Sequence, residues 1–277
     1  MKEKRVKRMK KRTLTGAVIT LVVYLVVAFS HIPLVIHGAA AVLSAFAVYE
    51  IYHAAKLTDR RPLLIGAILA AMAVALLPIP GYTTLLTVVF PVALMVFGWM
   101  MARQDSCRLD SAMKAAGVAL LVVLLFRAIP ELRQVSHGLQ YLAMGITLCF
   151  VTDVAAFLVG SRFGRRKLLP KVSPNKTVEG SVAGILVSVL VLIAWGWLLE
   201  GRDGYAVNWL LLCIYAVLVS VVGQFGDLSM SVVKRICGVK DFGTLFPGHG
   251  GMLDRFDSHM LSISFTLLFV TWTGGFL

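Results

Sequence analysis

The chain has 277 residues, of which 58% are hydrophobic and only 15% charged, with a mean hydropathy of +0.85. Soluble domains carry about a quarter charged residues, and about 20 apolar residues span a hydrocarbon core as a helix, so an ordinary soluble domain is excluded and a multi-pass membrane protein is expected. The net charge of +13 does not call for a nucleic-acid partner, because basic residues beside membrane spans account for it.

The first twelve residues hold eight Lys and Arg. They read as the basic flank of a first span rather than as a cleavable signal peptide, because no small-residue cleavage pattern follows. About nine apolar segments come next, near 14–30, 34–55, 62–79, 82–101, 115–130, 138–159, 178–199, 206–227 and 259–276. The second closes in "EIYHAAK", and the third closes in "LPIPG", a turn marked by Pro and Gly. Pro91 falls inside the fourth and is expected to kink it. "GSVAG" (180–184) opens the seventh with glycines four apart, a pattern that permits close helix packing. The expected fold is an all-α polytopic bundle: a basic cytoplasmic N-terminus (1–13), N-terminal membrane helices (14–137) and a C-terminal catalytic region (138–277). Cys107, Cys149, Cys213 and Cys237 are scattered without a CxxC pair, so neither a disulfide framework nor a thiolate zinc site is expected.

With the N-terminus in the cytoplasm, the loops alternate so that only Arg127, Arg133 and Arg202 fall outside and every other Lys and Arg falls inside. An odd number of spans then puts the C-terminus outside. In this topology Asp153 lies late in the sixth span, Glu179 opens the seventh, Asp227 closes the eighth, and Asp254 and Asp257 open the ninth. Carboxylates in or beside membrane helices are costly and face a polar cavity or a partner, so acids from four helices at one depth mark a site at the inner face. Asp254 and Asp257 share one helix face, and with Asp227 they form an oxygen-rich set of the kind Mg²⁺ takes together with substrate phosphates. An acidic helix start that merely suits the macrodipole is the alternative.

In "KVSPNKTVEG" (171–180), Ser173 reads as an N-cap with Pro174 at the first helical position, which would bring Lys176 and Thr177 to free N–H groups suited to phosphate. An ordinary cap with lysines flanking the membrane explains the same residues. Lys234 and Arg235 could neutralise phosphates or anchor to headgroups. "PGHGG" (247–251) would let backbone approach a ligand, with His249 as acid/base or orienting donor. Clustered carboxylates and interleaved basic residues at an inner membrane face suit phosphoryl or nucleotidyl transfer from a cytosolic nucleotide to a lipid. A transporter is the rival class, but it would need polar residues in both membrane halves.

The stretch "SVVKRICGVKDFGTLFPGHGGMLDRFD" (231–257) resembles the signature of the phosphatidate cytidylyltransferases, or CDP-diacylglycerol synthases: S-x-x-K-R, a short gap, K-D, P-G-H-G-G, an apolar pair, then D-R-x-D. "TDVAAFLVGSRFGRRKLLPKVSPNKTVEG" and "GDLSMS" are similar to two upstream family elements, so the likeness is detailed from about residue 150 onward. Met230 stands where many members carry Glu, and Val-Ala-Ala-Phe follows Asp153 in place of the commoner Gly or Thr with Ala-Tyr; these departures touch fine substrate contacts.

The resemblance implies a multi-pass enzyme of the bacterial cytoplasmic membrane with its site facing the cytoplasm. Its substrates are CTP and phosphatidic acid, Mg²⁺ is required with a second metal ion as an option, and a homodimer is implied. Asp227, Asp254 and Asp257 are then the metal ligands. Lys234, Arg235, His249 and Arg255 are the further catalytic candidates. Asp153, Ser173, Lys176, Thr177, Glu179, Ser231, Lys240, Asp241, Gly250 and Gly251 are the substrate-binding candidates. Another lipid phosphate as acceptor is the nearest rival.

Overall fold

The computed structural model describes residues 2–59, 61–102, 112–202, 204–246 and 250–277. The helices are α1 (Lys2–Ala28), α2 (Pro33–Ala54), α3 (Arg61–Leu76), α4 (Tyr82–Ala102), α5 (Ala112–Phe126), α6 (Ala128–Gln134) and α7 (Gly138–Phe163). A two-stranded hairpin follows, β1 (Lys167–Leu169) and β2 (Ser173–Thr177), then α8 (Val178–Leu199), α9 (Trp209–Ile236) and α10 (Leu253–Thr273). Six segments among the described residues are long and apolar enough to cross a membrane: α2, α4, Ala115–Gln134, α7, α8 and α9. The chain is thus a largely helical, multi-pass membrane protein, and the antiparallel hairpin is a small addition to the expected helical bundle.

α10 is the central helix. It is buried almost continuously from Leu253 to Val270 and packs on α2, α4, α5, α6, α7 and α9. A helix enclosed by protein can carry hydroxyls that lipid would not tolerate. Ser264 Oγ donates to Leu125 O at 2.9 Å, and Tyr215 Oη pairs with Thr266 Oγ1 at 2.8 Å. Those polar residues explain why α10 is less apolar than the six spans.

Glycines set the closest approaches. A Cβ on Gly180 would lie 2.5 Å from Ala156 O, and one on Gly184 would lie 2.9 Å from Thr152 O, so "GSVAG" lets α8 press against α7 as its spacing suggests. On α9, a Cβ at Gly226 would lie 2.9 Å from Asp257 O, which brings α9 and α10 together beside their acidic residues.

Three local expectations are corrected. Ser173 does not cap a helix: residues 173–177 form β2, which pairs with β1 through Leu169↔Ser173 and Lys167↔Thr177. The cap is Thr177, whose Oγ1 accepts from Gly180 N at 3.2 Å, so Pro174 lies in a strand with no partner strand beyond it. The eighth apolar segment does not end at Asp227, since α9 runs on to Ile236 and "SVVKR" is helical. The fifth segment is interrupted at Arg127, which is buried, pairs with Glu131 at 2.6 Å and lies over the Tyr82 ring at 5.6 Å.

Candidate active site

α9 carries a polar stripe at helical spacing: Ser220, Gln224, Asp227, Ser231 and Lys234. Its N-terminal part meets other polar side chains inside the bundle. Thr152 Oγ1 bonds Ser188 Oγ at 2.7 Å and Ser220 Oγ at 3.3 Å, and Ser181 Oγ donates to Gln224 Oε1. Its C-terminal part turns toward the acids. Asp227 lies roughly two and a half turns before the end of α9, well inside the helix rather than at its tip. Ser231 Oγ donates to Asp227 Oδ1 at 3.4 Å, and Lys176 from the hairpin pairs with Asp227 Oδ2.

Lys234 occupies the centre. Its Nζ lies 2.8 Å from Asp254 Oδ1 and 3.8 Å from Asp257 Oδ2, and 5.5 Å from the centroid of the Phe242 ring. A buried ammonium in this position balances two buried carboxylates from the first turns of α10. Asp254 is fully engaged: while Oδ1 faces Lys234, Oδ2 accepts from Phe242 N at 2.9 Å and Gly251 N at 2.8 Å. Gly250 has φ +85°, and a Cβ there would lie 2.7 Å from Asp254 Oδ2, so both the turn and the carboxylate require glycine.

Asp153, Asp227 and Asp257 act on one another electrostatically, and Lys176 acts on all three. Arg255, exposed on α10, adds positive field at Asp153. Three helices and the hairpin thus bring carboxylates and cations to one place. Among the described residues, no group of three or more His, Cys, Asp or Glu closes to metal-binding spacing.

Other expected residues have different partners. Arg235 donates to Val172 O and Val239 O, each at 3.2 Å, tying the hairpin to the end of α9. Glu179 accepts from Arg165 N at 3.0 Å and from Arg166 N at 3.2 Å, holding the turn that leaves α7. Ser173 is half-buried in β2, and Thr177 is buried. Lys240 and Asp241 are exposed beyond α9. His249 lies outside the described residues. Burial pushes the Cys237 thiol, past the end of α9, up to about 11, which leaves it a poor nucleophile.

One residue of the site escaped the sequence reading. Glu50, on α2, is 2% exposed; its Oε1 accepts from Met252 N and its Oε2 from Leu253 N, both at 2.8 Å. A signal was present, since an ionisable residue inside an apolar span is a functional pointer by default.

The sequence model of the cytidylyltransferase family matches residues 10–273. Curated relatives named phosphatidate cytidylyltransferase from Staphylococcus epidermidis and Staphylococcus saprophyticus are 46% and 45% identical over 125 residues, and one from Staphylococcus aureus is 43% identical over the same length. Each alignment covers 45% of this chain and 46% of the relative, so the matched stretch spans about half the length of those proteins.

Proposed function

The chain belongs to the cytidylyltransferase family, and from that premise we propose that it transfers CMP from CTP to phosphatidic acid, giving CDP-diacylglycerol and pyrophosphate. The observation that carries this reading is that one stripe of α9 carries both Asp227, paired with Lys176, and Lys234, which faces Asp254 and Asp257. In the reaction a phosphate oxygen of phosphatidate attacks the α-phosphorus of CTP. A new P–O bond forms as the bond to the bridging oxygen breaks, and pyrophosphate leaves with that electron pair. The nucleophile is already anionic, so positioning and charge neutralisation carry the work rather than a protein base.

Asp227 and Asp257 are the proposed holders of Mg²⁺, a pair of carboxylates that substrate phosphates would complete. Asp227 and Asp257 supply hard oxygens, and Mg²⁺ commonly takes one or two carboxylates together with substrate phosphates. Asp254, committed to Lys234 and two backbone amides, holds the framework around them. When bound, the ion supplies charge neutralisation at the phosphates. In this proposal Lys176 leaves Asp227 for a triphosphate, and Arg255 meets a phosphate. We place the site on the cytoplasmic side of a bacterial cytoplasmic membrane, with the N-terminus inside and nine spans; the distribution of Lys and Arg supports this arrangement.

Purified protein should release pyrophosphate from CTP on addition of phosphatidate, lose that activity in EDTA and regain it with Mg²⁺. A panel of lipid phosphates fixes the acceptor. No CTP turnover with any lipid phosphate, in a preparation that melts cooperatively, overturns the reading.

A further inference from the structure

We propose that Glu50 is a positioning residue for the reaction: a buried carboxylate on α2 that sets where Gly243, Gly251 and the start of α10 stand. The inference rests on the function proposed above for its activity arm only. Glu50 bonds both of its oxygens to the first amides of α10, and it forms no ion pair with Lys or Arg among the described residues. Helix N-terminal amides offset its charge. It therefore occupies a place that a water or a neutral side chain would fill less strongly.

The neighbouring glycines fit around this carboxylate. A Cβ on Gly243 would lie 2.7 Å from Glu50 Oε1, and one on Gly251 would lie 2.5 Å from Oε2. Neither glycine has positive φ, so backbone conformation does not demand glycine at these two positions. The Glu50 carboxylate does. From there the linkage runs through short contacts. Gly251 N and Phe242 N hold Asp254 Oδ2, Asp254 Oδ1 holds Lys234, and Lys234 faces Asp257. A residue of the second helix thereby fixes the acids at the other end of the chain.

The test uses full-length protein in detergent micelles, with amide hydrogen exchange and CMP transfer measured side by side. Glu50→Ala should speed exchange at residues 250–256 by about tenfold or more and leave the rest of α9 and α10 protected. It should lower turnover about 100-fold, the scale of an ångström-level misplacement. Glu50→Gln keeps one acceptor and should fall between the two. Gly251→Ala should be as damaging as Glu50→Ala in the wild-type background but cost nothing further on Glu50→Ala, because its methyl group enters the vacated space. Unchanged exchange at 250–256, exchange rising equally throughout α9 and α10, or additive losses in the double variant would each overturn the proposal. Wild-type protein that does not use CTP would sink the reaction assigned above, and exchange in Glu50→Ala would still decide whether this carboxylate anchors α10.

Discussion

Lys176, on the hairpin strand β2, forms an ion pair with Asp227, deep in α9, so two motifs far apart in sequence meet at one carboxylate. Both side chains retain about a quarter of their exposure, 27% and 21%, so the pair is reachable from solvent and by a ligand. A partly exposed pair contributes little to stability, about 0–1 kcal/mol. In the proposed reaction its value lies in holding an ammonium group ready beside the acids.

Lys176→Ala should accordingly lower CMP transfer by about 100-fold, the scale of removing one preorganised donor to developing charge, while the melting temperature stays nearly unchanged. Incorporation of labelled CMP into the lipid phase and a thermal melt in the same detergent check both halves. A large drop in melting temperature would mean that the lysine is mainly structural.

Asp254 and Asp257 should separate in the same pair of assays. Asp254→Asn weakens contacts to Lys234 and two backbone amides, so it should cost about 1–3 kcal/mol of stability as well as turnover. Asp257 has a longer contact, 3.8 Å, to the same lysine. Asp257→Asn should abolish turnover and leave the melting temperature within a few degrees of wild type. Equal destabilisation by both would remove the distinction between framework and proposed ligand.

Much of this arrangement is legible from sequence because apolar spans and acids inside them are local signals. The glycines of "GSVAG" and the acids of α10 fell where their spacing placed them. The failures came where tertiary pairing overrode a local pattern. Ser173-Pro174 has the chemistry of a helix start, yet β1 lies alongside and takes residues 173–177 as a strand. The end of α9 was misread because hydropathy stops at Asp227, whereas the polar stripe through Ser231 and Lys234 keeps helical spacing against a protein interior. Glu50 was visible as an acid in an apolar run, but its partners lie at Met252 and Leu253, a relation that no local pattern encodes.

The two glycine positions on α8 and α3 make a controlled pair. Gly184 has Thr152 O 2.9 Å from a built Cβ, whereas Gly66 on α3 has nothing within 4 Å. Gly184→Ala should force α8 away from α7 and lose about 1–3 kcal/mol. Gly66→Ala should be neutral or gain up to about 1 kcal/mol from helix propensity. Chemical denaturation in mixed micelles reads both; similar effects at the two sites would contradict the close packing of α8 on α7.

Lys234 gives the sharpest test of the buried charge balance. It is 8% exposed and faces Asp254 and Asp257, both 7% exposed. Replacing it with Met removes the shared counter-charge and leaves two carboxylates in a poorly solvated space, a change that typically costs about 3–5 kcal/mol. Adding Asp257→Asn to Lys234→Met removes one of the stranded charges, so the double variant should be more stable than Lys234→Met alone even though neither turns over CTP. A phosphate clamp that merely reached toward substrate would behave otherwise: its loss would spare the unfolding transition, and the second substitution would restore nothing. Denaturation midpoints for the single and double variants decide between these two roles for the lysine.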